Sequence, residues 1–208
     1  MSSRDEKKRQ TRQALMNAAL ELVGRGENFS SVSLREVAKT AGVVPTSFYR
    51  HFQDMEELGL NLADEFGMML RRLMRATRQD KNSIDDQIRN SVEVFVHYVA
   101  NHRTLFIFMS QCRTGGTPAL RNAIRNELRY FGNELVTDIR TSGLLPEVDL
   151  PDMEMIADLI VIAVADAATR VLDLPEGNQA HLNNLIEHTI KQVRLIFLGA
   201  TQWKSRGA

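Results

Sequence analysis

Several residue types are scarce in this chain of 208 residues, and each scarcity argues against a class of protein. A single cysteine, Cys112, cannot form an internal disulfide, which favours the reducing cytoplasm over a secreted fold. Five prolines, twelve glycines and 6% aromatic residues argue against an all-β sandwich and a collagen-like fibre. The longest apolar run, Leu159 to Ala165, is far shorter than the roughly 20 residues of a membrane span. The first residues lack the apolar core of a secretory signal, so we expect a soluble cytoplasmic protein without membrane insertion.

Charge of either sign is not in excess, because 26 Lys+Arg balance 26 Asp+Glu, but it is unevenly distributed. Residues 1–81 hold 14 basic against 11 acidic residues, and the rest of the chain holds 12 against 15. The basic residues form an opening cluster and a later one: Arg4, Lys7, Lys8, Arg9 and Arg12, then Arg71, Arg72, Arg75 and Arg78. Concentrated positive charge attracts nucleic-acid phosphates. A charge run is equally typical of a solvated helix face, which is the interpretation we favour for the later cluster.

Apolar residues recur with the 3.6-residue period of amphipathic helices along the chain, and glycines and prolines interrupt that period. We predict helices at about 5–25, 33–41, 45–52, 54–78, 84–101, 103–112, 117–141, 152–173 and 178–204, with a polar linker at 80–83. Residues 105–109 could form a strand, but no partner strand is evident and a buried helix is favoured. The predicted fold class is all-α.

The segment 33–52 has the features of a helix-turn-helix. Ser33 and Glu36 form a capping-box pattern, in which each side chain satisfies the backbone amide of the other. Pro45 suits the first position of the following short helix, because its missing amide proton would be unpaired there. In a helix-turn-helix the second helix enters the major groove, although the same shape occurs in proteins that never touch DNA. We expect Val44, Phe48 and Phe52 to face inward, and Thr46, Ser47, Tyr49, Arg50 and His51 to face outward.

The residues of this segment resemble those of the TetR family of bacterial repressors. The resemblance rests on LREVA at 34–38, AGV at 41–43, SFYRHF at 47–52 and EL at 57–58, and it covers about residues 8–62. It implies a homodimer whose two helix-turn-helix units bind a palindromic double-stranded DNA operator, with a ligand-binding helical domain that controls their separation. Met55 is a departure, since many members carry near this place a lysine that contacts a DNA phosphate.

The resemblance implies a division of the chain into three parts. These are an N-terminal three-helix helix-turn-helix DNA-binding domain at 1–53, a connecting helix at 54–80, and a C-terminal helical ligand-binding and dimerisation domain at 81–208. The fuller strings at 33–38, 45–52 and 54–60 resemble a narrower group, the FabR and DesT repressors of unsaturated fatty acid synthesis. That group implies control of fatty acid synthesis or desaturation genes by a long-chain acyl-coenzyme A (acyl-CoA).

We predict DNA contacts by the opening segment and by the helix-turn-helix. Hydroxyl groups and basic side chains suit phosphate contacts, and Arg50 can reach a phosphate or a guanine edge. Tyr49 could instead be a half-buried core residue, and His51 could only brace the turn. The predicted DNA-binding residues are Lys7, Lys8, Arg12, Ser33, Leu34, Arg35, Pro45, Thr46, Ser47, Tyr49, Arg50 and His51.

The resemblance also implies an acyl-chain cavity. Methionine is unbranched and adapts to a flexible ligand, but methionines and aromatics at helical spacing more often form core than pocket. Near a turn at 113–117, Arg113 could bind the phosphates of coenzyme A. The predicted ligand-binding residues are Phe66, Met69, Leu70, Leu73, Phe95, Tyr98, Phe106, Met109 and Arg113.

Residues 153–172 are apolar nearly all round, which requires burial from several directions. A partner subunit is the easiest cover for such a helix in a short chain. A second apolar stripe, from Leu182 to Ala200, completes two helices per subunit and predicts an intermolecular four-helix bundle. An ordinary internal core is the alternative.

The sequence contains no pattern that indicates catalysis. The five histidines lack metal spacing, no phosphate-binding glycine loop or GxSxG motif occurs, and Cys112 has no activating neighbour in sequence. We therefore predict a protein that is not an enzyme, with no metal site and no cofactor apart from the lipid effector. Two alternatives stay open: a TetR-type regulator of efflux or catabolism that responds to a drug-like or aromatic ligand, and a helical lipid carrier without DNA binding.

Overall fold

A computed structural model of the chain describes residues 3–77 and 83–205. Within these ranges the chain forms nine α-helices and one short 3₁₀ helix, Phe29–Ser31, and no strand. The helices are α1 (Ser3–Gly24), α2 (Leu34–Thr40), α3 (Pro45–Phe48), α4 (Met55–Thr77), α5 (Ile84–Asn101), α6 (Arg103–Gly115), α7 (Pro118–Ser142), α8 (Leu150–Asp173) and α9 (Gln179–Gln202). The predicted all-α class is confirmed, and residues 105–109 are helical within α6.

The chain forms two compact units. The N-terminal unit contains the residues up to Met68 together with Arg103–Arg125, and the C-terminal unit contains Met69–His102 and the residues from Asn126 onward. Residues 103–125 group with the N-terminal helices because α6 packs on α1. The predicted domain boundaries at residues 53 and 80 stay a prediction. The predicted linker lies outside the described residues except for Ser83, which caps α5, and Arg78 also lies outside them.

In the N-terminal unit, α1 has the apolar face that its sequence predicts. Leu15, Ala19 and Val23 are fully or almost fully buried, and α1 packs against α2 and α6 with this face. Under these helices the ring of Phe29 meets Phe108 edge to face, with the ring centroids 4.8 Å apart. The first helix of the helix-turn-helix, α2, therefore packs on a buried apolar core.

In the C-terminal unit, α5, α8 and α9 pack against one another. The apolar stripe of α9 is mostly buried within the chain, since Leu185, Ile190 and Val193 are at most 5% exposed. The predicted intermolecular four-helix bundle, to which this stripe was assigned, stays a prediction. The residues after α9 return to the start of α8, where Trp203 Nε1 donates to Asp152 Oδ2 at 2.7 Å.

Candidate nucleic-acid interface

The first helix of the helix-turn-helix begins with the predicted capping box. The Glu36 amide donates to Ser33 Oγ at 3.3 Å, and the Ser33 amide donates to Glu36 Oε2 at 2.8 Å. Hydrogen bonds from the Ser33 hydroxyl and amide lower the pKa of Glu36. Gly42, with φ of +70°, ends the turn after α2 in a conformation that favours glycine. These contacts fix where α3 starts, and Pro45 is at its first turn as predicted.

The recognition helix is shorter than predicted. α3 ends at Phe48, and Tyr49, Arg50 and His51 lie in turns that continue from it. The amides of Arg50 and His51 bond to carbonyls three residues back, at 3.2 and 2.9 Å, which is the tighter pattern of a helix end. The predicted helix at 45–52 was wrong after residue 48, and the six residues 49–54 separate α3 from α4. There the Gln53 amide donates to Glu57 Oε2 at 2.5 Å.

Of the three residues predicted to face inward in this segment, only the two phenylalanines are buried. Phe48 is 0% exposed and Phe52 2%, with ring centroids 5.7 Å apart, as predicted. Val44 was predicted to face inward and is 65% exposed instead. It is the N-cap residue of α3 and has extended backbone angles, so the helical spacing on which the prediction relied does not apply to it.

The outer face presents polar groups to solvent. Tyr49 is 60% exposed, which excludes the core alternative for this residue, and Thr46 and Arg50 are also exposed. Among the described residues, no hydrogen bond or ion pair occupies the side chains of these three. They are free to donate to phosphate oxygens and base edges.

The other predicted contact residues of the helix-turn-helix surround this face. Arg35 and Pro45 are exposed, while Leu34 and Ser47 are half-buried. The exposed Ser33 hydroxyl is engaged in the capping box, where it donates to Glu36 at 2.6 Å. The DNA contacts of all of these residues stay a prediction.

His51 lies half-buried beneath the outer face. Its Nδ1 atom is buried and finds no hydrogen-bond partner in the described part of the chain. Burial lowers the pKa of His51, and the positive charges of Lys8, Arg12 and Arg50 lower it further. The predicted outward orientation is therefore only partly met.

The opening basic segment is helical from Ser3 onward. Lys7 and Lys8 are exposed and have no ion-pair partner within residues 3–77 and 83–205, whereas Arg9 pairs with Glu6. Arg12 differs from the lysines, since its Nη1 lies 2.7 Å from Glu65 Oε1 and its Nη2 donates to Asn61 Oδ1 at 2.7 Å. Sequence reasoning missed this contact because its partners lie about 50 residues further along the chain.

The predicted ligand-binding residues divide between the two units. In the N-terminal unit, Phe66 and Phe106 are buried and meet edge to face with centroids 5.0 Å apart. Met109 is 9% exposed, and Arg113 is exposed near the end of α6. Phe66, Phe106 and Met109 are therefore packed as core residues, which is the alternative to a pocket that the sequence left open.

The remaining predicted ligand-binding residues lie in the C-terminal unit. Leu70 and Phe95 are buried, and Leu73 is half-buried. Met69 is 56% exposed, and the hydroxyl of Tyr98 donates to its sulfur at 3.1 Å. Burial raises the pKa of Tyr98. The acyl-chain cavity itself stays a prediction.

A pocket of about 560 Å³ lies in the C-terminal unit between α4 and α7, and no predicted ligand residue lines it. Arg71 pairs with Glu127 and lies over the Tyr130 ring at 5.4 Å, while Arg75 Nη2 lies 2.7 Å from Glu134 Oε1. Each arginine faces a carboxylate, and Asp138 adds a further carboxylate to the wall, so the wall suits a polar ligand group. The signal in the sequence was the i, i+4 spacing of the arginines, which we interpreted as a solvated face. The lining residues are Arg71, Arg75, Tyr130, Asn133, Glu134, Thr137 and Asp138.

Both closing helices expose large apolar side chains. On α8, Met155, Leu159 and Ile162 are 43%, 46% and 61% exposed, and on α9 Leu195 and Leu198 are 72% and 64% exposed. Side chains of this size rarely gather in the open on a monomer, and a contiguous patch marks an interaction surface. The predicted all-round apolar character of α8 is thus present, with part of its surface uncovered in the single chain.

Metal-binding clusters and membrane spans are absent from the part of the chain that the structure describes. No group of three or more His, Cys, Asp or Glu side chains is placed to hold an ion there. None of its helices has the length and apolar character needed to cross a membrane.

The fold and its outward-facing turn define a helix-turn-helix DNA-binding regulator, and two family models match it. Residues 15–61 match the bacterial regulatory proteins of the tetR family, and residues 84–199 match the tetracyclin repressor-like C-terminal domain. The chain belongs to the TetR family. Membership implies operator binding, dimerisation and a ligand effector, and members generally are DNA-binding proteins without enzymatic activity.

Solved structures share this fold at low sequence identity. A putative transcriptional regulator from Pseudomonas aeruginosa is 15% identical with a TM-score of 0.75, over 97% of this chain and 95% of that one. The fatty acid degradation regulator FadR from Bacillus halodurans is 16% identical with a TM-score of 0.72, over 88% and 94%. FadR from Bacillus subtilis, solved in complex with stearoyl-CoA, is 17% identical with a TM-score of 0.69, over 88% and 96%.

Proposed function

We propose that this regulator represses genes of fatty acid synthesis or desaturation and responds to a long-chain acyl-CoA. The observation that carries the lipid assignment is the resemblance of the strings at 33–38, 45–52 and 54–60 to the FabR and DesT repressors. The shared fold with a stearoyl-CoA-bound FadR is compatible with this proposal, but at 17% identity it supports the fold alone.

The proposed DNA-binding form is a homodimer that reads a palindrome. The recognition segment is α3 with the turns that follow it, residues 45–52. Two such segments must fit half-sites one helical turn apart, at about 34–36 Å. The exposed apolar residues of α8 and α9 would pair with their counterparts to form an intermolecular four-helix bundle. In that arrangement Leu195 and Ile162 lie at the contact, and the buried stripe of α9 supports it from within the subunit.

The proposed response to ligand is a population shift. Helix α4 begins directly after the recognition segment, and its residues from Met69 onward belong to the C-terminal unit. A ligand that prefers one tilt of α4 would change the spacing of the two recognition segments. Saturated and bent unsaturated chains would act differently only if they prefer different tilts.

The effector would have an apolar chain and a phosphate-bearing head. The predicted residues for the chain are the aromatic and methionine side chains of α4, α5 and α6. Arg113 and the pocket that contains Arg75 are the two candidate places for the head, and both arginines are exposed. Arg113→Ala and Arg75→Ala separate them, because only the true contact weakens the response to acyl-CoA while leaving the response to a free fatty acid unchanged.

The structure offers less support for the two alternatives. A cationic drug needs a buried, uncommitted carboxylate, but Glu65 pairs with Arg12, Glu127 pairs with Arg71, and Asp64 is exposed. A lipid carrier without DNA binding would leave the exposed Tyr49 and Arg50 without a purpose. We therefore favour the lipid-responsive regulator.

The test is a gel shift with promoter fragments of fatty acid synthesis and desaturase genes, with saturated or unsaturated long-chain acyl-CoA added. A shift that the two acyl types change to different degrees supports the proposal. A shift that neither lipid affects rejects the lipid effector and keeps the DNA-binding regulator. The absence of any shift at low salt would reject operator binding to these promoters.

A further inference from the structure

Arg12 is the only member of the predicted DNA-binding set with an ion-pair partner in the described part of the chain. Its Nη1 lies 2.7 Å from Glu65 Oε1, and its Nη2 donates to Asn61 Oδ1 at 2.7 Å. Asn61 is itself fixed, because its Nδ2 donates to the Glu57 carbonyl at 2.7 Å. Both terminal nitrogens of the guanidinium are therefore used by α4.

The same guanidinium also contacts the end of the recognition segment. Its carbon lies 5.3 Å from the centroid of the Phe52 ring, within the range of a cation–π contact. Phe52 is 2% exposed and packs on Phe48, which anchors α3. Arg12 thus joins three parts of the N-terminal unit: α1, the end of the recognition segment and the first half of α4.

Lys8 is a natural comparison, since it lies one helical turn before Arg12. It is exposed and has no ion-pair partner among the described residues, so its charge is available to a phosphate. The Arg12 side chain is 33% exposed, and the carboxylate of Glu65 opposes its charge. Glu65 and Asn61 already hold two of the Arg12 donors, so Arg12 is less available to a phosphate than Lys8 is.

We propose that Arg12 is a positioning residue, which holds the recognition segment in place against α4 and does not contact DNA. This replaces the DNA contact that the sequence predicts for it. The proposal rests on operator binding by the proposed function, and it assigns Glu65 and Asn61 as the partners through which Arg12 acts.

Glu65→Gln separates the two roles by the sign of its effect. Removing a negative charge from a protein that binds a polyanion strengthens binding on electrostatics alone. It also frees Arg12, which strengthens binding further if Arg12 contacts a phosphate. If Arg12 positions the recognition segment, Glu65→Gln weakens operator binding, by about tenfold for a coupled pair of this kind. Stronger binding by this variant would overturn the proposal.

Arg12→Lys and Arg12→Ala give a second, independent comparison. Lysine keeps the charge for a phosphate but cannot bridge Glu65 and Asn61 with two nitrogens. We expect both variants to weaken binding to a similar degree and to keep the wild-type salt slope. Rescue by lysine, or a slope for Arg12→Ala that is shallower by about 0.9, would show a phosphate contact. The Lys7→Ala/Lys8→Ala double variant is the matched control for a lost phosphate contact.

Hydrogen exchange of the free protein tests the proposal without DNA. We expect faster exchange at residues 48–57 in Arg12→Ala and Glu65→Gln, and wild-type exchange there in Lys8→Ala. Unchanged exchange in the first two variants would reject the positioning role. If the wild-type protein fails to bind operator but the two variants exchange faster than the wild type, the proposed function is rejected and the positioning role of Arg12 stands.

Discussion

At the scale of single residues, His51 links the recognition segment to pH. Burial and the nearby positive charges of Lys8, Arg12 and Arg50 lower its pKa in the folded protein. The unfolded chain therefore takes up a proton at this residue at higher pH than the folded protein does, and folding becomes less favourable as the pH falls. The loss begins near the ordinary histidine pKa of about 6.5 and is complete below the lowered value.

His51→Gln removes this dependence. We expect the free energy of unfolding to fall less between pH 7.5 and pH 5 in the variant than in the wild type, as measured by urea denaturation at each pH. His188→Gln is the control, because this exposed histidine lies on α9 in the C-terminal unit. An identical pH dependence in wild type and His51→Gln would show that His51 does not contribute.

Arg50 decides between two kinds of DNA contact. Its side chain is exposed and unpaired in the described part of the chain, so it can reach a base edge or a phosphate. If it reads a guanine, Arg50→Ala relaxes the preference at particular base positions by about 1–3 kcal/mol. Binding measured across a set of single-base operator variants checks this. A uniform loss over the whole set would assign Arg50 to a phosphate.

At the scale of elements, Gly59 sets how closely α4 packs in the N-terminal unit. A Cβ added there would lie 2.9 Å from Phe29 Cε1 and 3.0 Å from Leu120 Cδ2. Phe29 is held against Phe108 and cannot move freely. We expect Gly59→Ala to destabilise the protein by about 1–3 kcal/mol, since overpacking outweighs the better helix propensity of alanine.

Chemical denaturation followed by circular dichroism measures the effect of Gly59→Ala. Gly115→Ala is the matched control, because nothing lies within 4 Å of an added Cβ at that helix end. The control should leave stability nearly unchanged. A Gly59→Ala protein as stable as the wild type would mean that Phe29 and Leu120 can make room.

The bounds of most elements could be predicted because local signals determine them. Ser33, Pro45 and Gly42 act through their own backbone neighbourhood, and each lies at the helix end or turn that its chemistry favours. The end of α3 could not be predicted in this way. No capping or helix-breaking residue stands at 49–51, so nothing in the local sequence marks the change from helix to turns there.

The exposed face of the candidate site could be predicted from the sequence, but the ion pairs that hold its arginines could not. The helical spacing of Phe48 and Phe52 correctly predicted that Tyr49 and Arg50 are exposed. The partners of Arg12 and the pairing of Arg71 with Glu127 join residues about 50 positions apart, and no spacing rule connects them. Arginine at a helix surface looks the same in sequence whether it faces solvent, DNA or a distant carboxylate.

At the scale of the whole molecule, the exposed apolar residues of α8 and α9 predict how the dimer forms. Ile162 is 61% exposed and Leu195 72%, and burying each in an interface gains roughly 1.5–3 kcal/mol. We expect Ile162→Glu and Leu195→Glu to convert the dimer to a monomer, because a charge buried without a partner costs more than these contacts supply. Analytical ultracentrifugation measures the mass directly.

Operator binding depends on the dimer, because a palindrome has two half-sites. The same variants therefore also test DNA binding. A monomer has one recognition segment, so it loses the second half-site and the affinity gained by binding both at once. We therefore expect the monomeric variants to bind a full palindrome no better than a half-site. Leu144→Glu is the control, since Leu144 is 41% exposed but lies in the loop between α7 and α8 and not on either of the two helices proposed to pair. A Leu195→Glu protein that stays dimeric and keeps full operator affinity would place the subunit contact on another surface.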